Sequence, residues 1–416
     1  MWLLVPLLVL LSGAPASTLV AGATWLLVAL AGLWATVRLP VTRLPSHRLV
    51  QSSWWWLKAC FLALLLQAVI TQYWADPWKD RHVEIRLLLG AAASCALVRR
   101  MRLLPQQKTY LIHSLALACC VAAVTSYLYG RETPSNPISW AAGVSFLVCV
   151  LLAQLLHLKT TWWQRVFWGG STLAGVVGVL LSQSRGSYGL VFWVVGLVGL
   201  SSLQRFLCRV KKNNMPTTTT AVKSQLSAAV AAAVVVAFFI ATFPQFYAGP
   251  VGRITAAFSE VKAFSQAAHS QPQVSAVNTS VGARLYMWRM AICEVSNAPF
   301  LGHGRAARIA WIHQLGETAG SDTIKSLDHL HSDPLTTLFD HGMLGILSYL
   351  CLAVMLTWLV VKNKYCDTAA RWSLAGVLFM HLSSGLTNMN FGHNFYGVML
   401  SLSIALVWIL STNEVK

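Results

Sequence analysis

Twelve apolar stretches separated by polar segments make up most of this chain. They cover approximately residues 2–14, 18–37, 56–73, 83–98, 109–128, 138–157, 166–183, 187–204, 224–243, 334–361, 370–388 and 394–411. A helix needs about 20 apolar residues to cross roughly 30 Å of hydrocarbon. The pattern therefore predicts an all-α, polytopic integral membrane protein with about twelve transmembrane helices. The first stretch lacks a positively charged start, so we interpret it as a retained span and not as a signal peptide.

One long polar segment interrupts this pattern and divides the chain into three regions. Residues 1–243 hold spans 1 to 9, residues 244–333 form a large loop, and residues 334–416 hold spans 10 to 12. A long polar loop does not help a helical bundle to stay in lipid, because its backbone groups need water or protein partners. The loop is therefore the first place to look for chemistry.

The loop itself contains helical periodicity. Ile254, Phe258 and Val261 recur at positions i, i+4 and i+7, and Leu285, Trp288, Ile292 and Val295 recur at similar spacing. Both patterns predict amphipathic helices that lie on the bundle or on the bilayer surface. A polar linker at 269–280 separates them, and a turn-rich segment at 299–304 follows the second.

Composition and charge agree with a membrane protein. The chain is 56% hydrophobic and 11% charged, and its net charge of +18 would by itself suit a nucleic-acid partner. With a cytoplasmic N-terminus, however, the inner loops hold 19 of the 31 Lys and Arg and two acidic residues, whereas the outer side holds 12 basic and 11 acidic residues. The excess of positive charge thus lies in the inner loops, as the positive-inside rule expects. It predicts both termini in the cytoplasm, the long loop outside and no nucleic-acid binding.

A transporter is the first functional alternative, since twelve spans are common among transporters. Transporters usually place charged residues or broken helices near the middle of the membrane. The ionisable residues nearest to mid-span here are His113 and His381, and both are close to span ends. This weighs against a transporter without excluding one.

Three arginines on the predicted outer side have no acidic residue three or four positions away. Arg185 lies in the short hairpin Ser182-Gln183-Ser184-Arg185-Gly186, and Arg284 and Arg289 lie in the long loop. Arg185 could simply extend to the interface from a helix end, and Arg284 could stack on Trp288 one turn later. Alternatively, the three guanidiniums suit a diphosphate, which they can bind in bidentate fashion without a metal ion.

His331 is the histidine best placed for catalysis. It comes just before the span that starts at Pro334, and a helix N-terminus disfavours the imidazolium form. The neutral form is what a general base requires. His331 could instead be a capped interfacial histidine. His329-x-His331-x-Asp333 would also allow a metal site, although no Cys or Glu completes a four-ligand set. Asp333 is predicted to be a helix N-cap.

The order of these motifs resembles the O-antigen ligase and polymerase superfamily. The motifs are Ser184-Arg185-Gly186, Arg284-x-x-x-Trp288, Pro299-x-x-Gly302-x-Gly304, His331-Ser332-Asp333-Pro334-Leu335 and Gly342-x-x-Gly345. The resemblance covers roughly residues 170–350 by motif and the whole chain by number of spans. Ser332 departs from the pattern, since the family more often has Asn there, which affects the setting of His331.

The resemblance implies a membrane glycosyltransferase of the Gram-negative inner membrane with its site on the periplasmic face. Such an enzyme moves a saccharide from undecaprenyl diphosphate to a sugar hydroxyl of lipid A–core oligosaccharide. By similarity, Arg185 and Arg284 hold the diphosphate, Arg289 and Trp288 add contacts to the donor, and His331 takes the proton from the acceptor hydroxyl. Inversion, no cofactor and no metal are implied.

The number of large outer loops distinguishes two activities within that superfamily. Polymerases typically have two sizeable outer loops, whereas only one predicted outer loop here exceeds ten residues. This favours an O-antigen ligase. An O-antigen polymerase stays the main alternative, a protein O-oligosaccharyltransferase is a third, and a flippase for lipid-linked saccharides belongs to a different class.

Overall fold

The computed structural model describes residues 4–40, 47–158, 160–211, 245–267, 274–362 and 368–411, and all regular elements in these ranges are helical. The helices of the membrane body are α1 (Leu4–Gly13), α2 (Thr18–Arg38), α3 (His47–Trp74), α4 (His82–Arg100), α5 (Pro105–Tyr129), α6 (Pro137–His157), α7 (Trp162–Leu181) and α8 (Gly189–Lys211). The loop contains α9 (Gln245–Ala267), α10 (Val274–Val277), α11 (Ser280–Val295), α12 (Arg305–Thr318) and α13 (Asp322–Lys325). Three more helices complete the body: α14 (Asp333–Lys362), α15 (Thr368–Thr387) and α16 (Asn394–Leu410). The predicted all-α class is confirmed.

Eleven of the twelve apolar stretches coincide with helices of the body. The remaining stretch, 224–243, lies outside the described residues. Six of the described helices, α2, α3, α5, α6, α8 and α14, are long and apolar enough to cross a membrane by length and composition, and α1 and α16 are apolar but shorter. The chain is thus a polytopic membrane protein, and the figure of twelve spans stays a prediction.

Helices α6 and α16 form the centre of the bundle. Every residue of Ser139–Gln154 and of Phe395–Leu410 is buried. Helix α6 packs against α15 and α7, and α16 packs against α4. Small residues allow close approach in the same body, as where Gly32 of α2 lies directly against Ala93 of α4.

The loop residues 274–330, which we name the lid, have a hydrophobic core of their own. It consists of Val277, Ala283, Met287, Ala291, Ile312, Leu315, Ile324 and Leu330, together with Phe339 of α14. A buried ion pair between Arg308 of α12 and Asp340 of α14 fastens the lid to the membrane body. The lid is thus a folded unit and not only a long connection.

The helices of the loop agree only in part with the prediction. The patterns at 254–261 and 285–295 do form helices α9 and α11, but α12 and α13 were not predicted, and Val274–Val277 of the predicted linker is helical. The buried face of α11 consists of Ala283, Met287 and Ala291, whereas Ile292 of the predicted stripe is 65% exposed. Ala283 and Ala291 are small and let α11 pack closely against its neighbours. The apolar pattern of the sequence does not show which face of the helix packs in this way.

Helix α14 is broken at Gly342, and the turn-rich segment 299–304 fills the break. Gly342 has φ 59° and ψ −153°. On one side of the break, the amides of His303 and Gly304 donate to the carbonyls of Phe339 (2.8 Å) and Asp340 (2.9 Å). On the other side, the amide of Met343 donates to the carbonyl of Pro299 (2.8 Å). The freed backbone groups of the helix thus find partners, as apolar surroundings require.

Candidate functional site

The short loops that precede α4, α6, α8 and α16 converge with the lid on one face of the bundle. They enclose two cavities there. The larger one, the arginine cavity, has a volume of about 760 Å³. Its lining includes Arg131, Arg185, Arg253, Arg284, Trp288 and Asn388. No described residue that lines it is acidic.

Arg185 enters this cavity from the tight turn between α7 and α8. The turn Arg185–Ser187 is a 3-10 helix, and Gln183 just before it has φ 54°, a left-handed conformation that is costly for a residue with a side chain. Gly186 packs directly against the Asn388 side chain, so no larger residue fits there. The Nε of Arg185 is buried and has no hydrogen-bond partner among the described residues. The turn therefore presents an unpaired guanidinium to the cavity.

Arg284 enters the same cavity from α11 in the lid. Its Nη1 donates to the carbonyl of Thr387 at 3.4 Å. Burial and repulsion from Arg185 and Arg253 together lower the pKa of Arg284 to about 10, and Glu260 opposes them. Burial also lowers the pKa of Arg131, as do Arg253 and Arg185. The guanidiniums thus repel one another, and an anion between them would relieve that repulsion.

Trp288 and Arg289 occupy different environments. Trp288 lines the arginine cavity, and its Nε1 donates to the carbonyl of Leu330 at 2.6 Å, which fixes the chain just ahead of His331. Arg289 is exposed and does not line the cavity. The structure therefore brings together Arg185, Arg284 and Trp288 but not Arg289.

His331 has a strained backbone conformation and packs against His329. Its φ is 52°, its ring centroid lies 4.1 Å from that of His329, and its amide donates to Nδ1 of His329 at 3.3 Å. Burial lowers the pKa of His331 to about 2, and Arg284, His329 and His393 contribute to the lowering. The imidazole is therefore neutral near pH 7. Burial is the largest cause, whereas the sequence argument relied on the helix N-terminus.

The second cavity, which we name the mixed-charge cavity, has a volume of about 350 Å³. Its lining includes Asp80, Arg81, His82, Glu84, Arg305, Arg308, Asp328, His329, Asp340 and His393. This cavity is lined by both acidic and basic side chains, whereas the described lining of the arginine cavity has no acidic residue.

Asp333 connects the walls of the two cavities. Its amide donates to the carbonyl of Asn388 (3.0 Å), and its Oδ1 accepts from the amide of Phe391 (3.1 Å). Asn388 lines the arginine cavity, and Phe391 and His393 line the mixed-charge cavity. The predicted N-cap role of Asp333 is wrong: α14 begins at Asp333, and the carbonyl of Ser332 before it already accepts from the amide of Thr336 (2.8 Å). The carboxylate instead holds the loop 388–393.

The comparison with known families identifies the region that carries this site. A family model described as O-antigen ligase matches residues 170–350. Residues 170–350 are thus similar to the O-antigen ligase family. The resemblance inferred from the motifs is thereby confirmed for this part of the chain. No curated protein matches the chain.

The matched region, residues 170–350, contains Arg185, Arg253, Arg284 and His331, together with the whole lid. Arg131 and the loop 388–393 lie outside the match but contribute to the cavity walls. The motif Pro299-x-x-Gly302-x-Gly304 has a structural role, since it completes the broken helix at Gly342. That break sets the position of the short helical segment that begins just after His331.

Two arginines of the arginine cavity were missed from the sequence. Arg131 also lies on the predicted outer side, in one of the short loops, and Glu132 follows it directly. Arg253 belongs to the helical pattern of α9, where a charged residue is ordinary. Within the described residues, no cluster of three or more His, Cys, Asp or Glu side chains is arranged to hold a metal ion.

Proposed function

We propose that this protein is an O-antigen ligase that transfers a saccharide from undecaprenyl diphosphate to a sugar hydroxyl of lipid A–core oligosaccharide. The observation that carries the proposal is the arginine cavity. Four guanidiniums, with no acidic residue among the described lining, stand beside a neutral histidine. A diphosphate is the leaving group that such a cavity suits best.

An apolar groove supports a lipid-linked donor. It lies between α5 and α7, has a volume of about 410 Å³, and is lined by Ala123, Val124, Tyr127, Gly170, Leu173, Ala174, Val177 and Leu181. Leu181 directly precedes Ser182, which lines the arginine cavity. A polyprenyl chain in the groove would therefore present its diphosphate to the four arginines.

The proposed reaction is one direct displacement. His331 takes the proton of the acceptor hydroxyl, the hydroxyl oxygen bonds to the anomeric carbon, and the bond from that carbon to the diphosphate breaks with inversion. The diphosphate leaves with the electron pair. Its developing charge is stabilised by Arg185, Arg284 and the two further arginines, so no strong general acid is needed.

Donor binding would also activate the base. Arg284 lowers the pKa of His331. A bound diphosphate offsets the charge of Arg284, so the imidazole becomes more basic when the donor is present. His331 would accept a proton most readily in the ternary complex, where the transfer takes place.

A flippase receives less support from the distribution of buried charge. Among the described residues, the buried Arg, Asp and Glu side chains are Arg81, Glu84, Arg308, Asp333 and Asp340. All five belong to the cavity walls, the lid or the start of α14, and not to the middle of a span. A transported substrate would need polar partners deeper in the bundle.

A deletion strain tests the ligase against the polymerase. We expect full-length O-antigen to accumulate on its lipid carrier and to be absent from the lipid A–core. Short O-antigen that is still attached to the core would identify a polymerase instead. We further propose that the cavities face the periplasm from the inner membrane, with both termini in the cytoplasm.

A further inference from the structure

We infer that the mixed-charge cavity binds the acceptor as an uncharged, hydroxyl-rich saccharide end. The inference rests on the proposed function and assigns its second substrate. Arg81, Arg305 and Arg308 in the lining are balanced by Asp80, Glu84, Asp328 and Asp340. Three cations and four anions leave almost no net charge, whereas the arginine cavity carries four cations.

Each of the three guanidiniums in this cavity already has a partner. Arg305 pairs with Asp80, Arg308 pairs with Asp340, and Nη1 of Arg81 donates to Oε1 of Gln67 at 2.7 Å. A diphosphate would have to displace these partners and would be repelled by the carboxylates. A neutral polyol has no such cost, since each hydroxyl can donate to a carboxylate and accept from a guanidinium.

The same wall carries polar atoms that have no partner. They are Nε of Arg81, Nε2 of His82, Oε2 of Glu84, Oγ1 of Thr336, Oδ1 of Asp340 and Nδ1 of His341, all buried and without a hydrogen bond among the described residues. Buried polar atoms are normally paired, so six on one cavity wall indicate a polar ligand. They include both donors and acceptors, which matches hydroxyl groups and not a purely accepting phosphate.

His82 shows the acceptor character of this wall most clearly. Its Nδ1 lies 3.1 Å from the carbonyl of Lys79. Because a carbonyl only accepts, the neutral tautomer that fits this contact has its proton on Nδ1 and a free lone pair on Nε2. That lone pair can accept from a sugar hydroxyl and cannot bind an anion.

The position of the cavity relative to His331 completes the argument. His329 and His393 line the mixed-charge cavity, and Arg284 lines the arginine cavity. The His331 ring lies 4.1 Å from that of His329, and the residue before it, Leu330, accepts a hydrogen bond from Trp288 in the wall of the arginine cavity, so His331 lies between the two cavities. An acceptor hydroxyl from one cavity and a diphosphate-linked sugar from the other would meet at this residue.

Binding of two probes to the purified full-length protein in nanodiscs tests the inference. One probe is lipid A–core that lacks O-antigen, and the other is undecaprenyl diphosphate. Thr336→Val removes an unpaired hydroxyl and keeps the shape of the side chain. We expect it to weaken lipid A–core binding about threefold, and Thr336→Val combined with His82→Phe about tenfold, because each lost hydrogen bond has a modest net value.

The controls separate this inference from the proposed function. Thr357 lies on the same helix away from both cavities, and its Oγ1 donates to the carbonyl of Ala353. Thr357→Val should therefore change the affinity neither for lipid A–core nor for undecaprenyl diphosphate. The double variant should leave undecaprenyl diphosphate binding within about twofold, and Arg131→Gln should weaken it. Unchanged lipid A–core binding in the double variant, or weakened diphosphate binding there, would overturn the inference. Absence of undecaprenyl diphosphate binding to the unmodified protein would instead overturn the proposed function.

Discussion

At the scale of single residues, the chemistry depends on how His331 is surrounded. Its ring faces His329, and the charges that act on it come from Arg284 in the lid and His393 in the loop ahead of α16. These residues are far apart in sequence. The sequence therefore predicted His331 as the candidate base, but not that burial, together with Arg284 in the lid, lowers its pKa.

Replacing Arg284 should raise the pKa of His331. Arg284 lowers that pKa to about 2 together with burial, His329 and His393. Removal of a positive neighbour favours the imidazolium, so Arg284→Gln should move the titration to higher pH. NMR titration of histidine-labelled protein, with His331→Gln to assign the resonance, measures the shift. An unchanged or lower pKa would contradict the described electrostatics.

Each cavity arginine should contribute separately to donor affinity. Arg185→Gln and Arg253→Gln each remove one charged donor, and such bonds correspond to a loss of about tenfold to about a hundredfold in affinity. Undecaprenyl diphosphate binding measures the effect. Lys262→Gln is the matched control, because Lys262 lies exposed on the same helix as Arg253. Equal losses of undecaprenyl diphosphate affinity in Lys262→Gln and Arg253→Gln would indicate only a general attraction of the anionic donor by positive charge. Arg289→Gln, tested in the same series, shows whether the exposed arginine takes part.

At the scale of elements, the apolar pattern predicted helices well and their packing poorly. Eleven predicted spans became helices because long apolar runs in lipid have few alternatives to helix. Helices α12 and α13 and the buried face of α11 were missed, because they are held by the small core of the lid and by the Arg308–Asp340 pair. The break at Gly342 could not be predicted for a similar reason, since it depends on residues 299–304, which lie far from it in sequence.

Gly342→Ala should destabilise the protein and disturb the site. The position has φ 59°, and an added Cβ would collide with the backbone of Phe300. The strained conformation alone costs about 1–3 kcal/mol. Thermal unfolding in detergent measures the loss. Gly199→Ala in α8, where an added Cβ meets no atom within 4 Å, should leave the protein equally stable or slightly more stable. Equal melting temperatures for Gly342→Ala and the unmodified protein would contradict the described break.

At the scale of the whole molecule, the structure brings the short loops before α4, α6, α8 and α16 to the same face as the lid. The charge distribution assigned these four loops to one side. Charge counting could predict that these loops share a side, because the positive-inside rule acts on each loop separately. It could not predict that they form two cavities, which depends on packing among distant helices.

Cys293 offers a direct test of orientation. It is exposed on α11 in the lid. If the lid lies on the periplasmic side, a membrane-impermeant maleimide added to intact spheroplasts should label Cys293, and Cys293→Ala should lose that labelling. Labelling that requires prior disruption of the membrane would place the lid in the cytoplasm and reverse the topology.

The most direct test of the central claim is saccharide transfer by the purified protein in proteoliposomes, with undecaprenyl diphosphate-linked O-antigen, lipid A–core acceptor and excess chelator. The unmodified protein should transfer the saccharide without added metal. Removal of the general base should reduce the rate by a factor on the order of 10² to 10⁴ in His331→Ala, while that variant still inserts and still binds undecaprenyl diphosphate. Full transfer by His331→Ala, or transfer by the unmodified protein only after Mg²⁺ or Zn²⁺ is restored, would contradict the account.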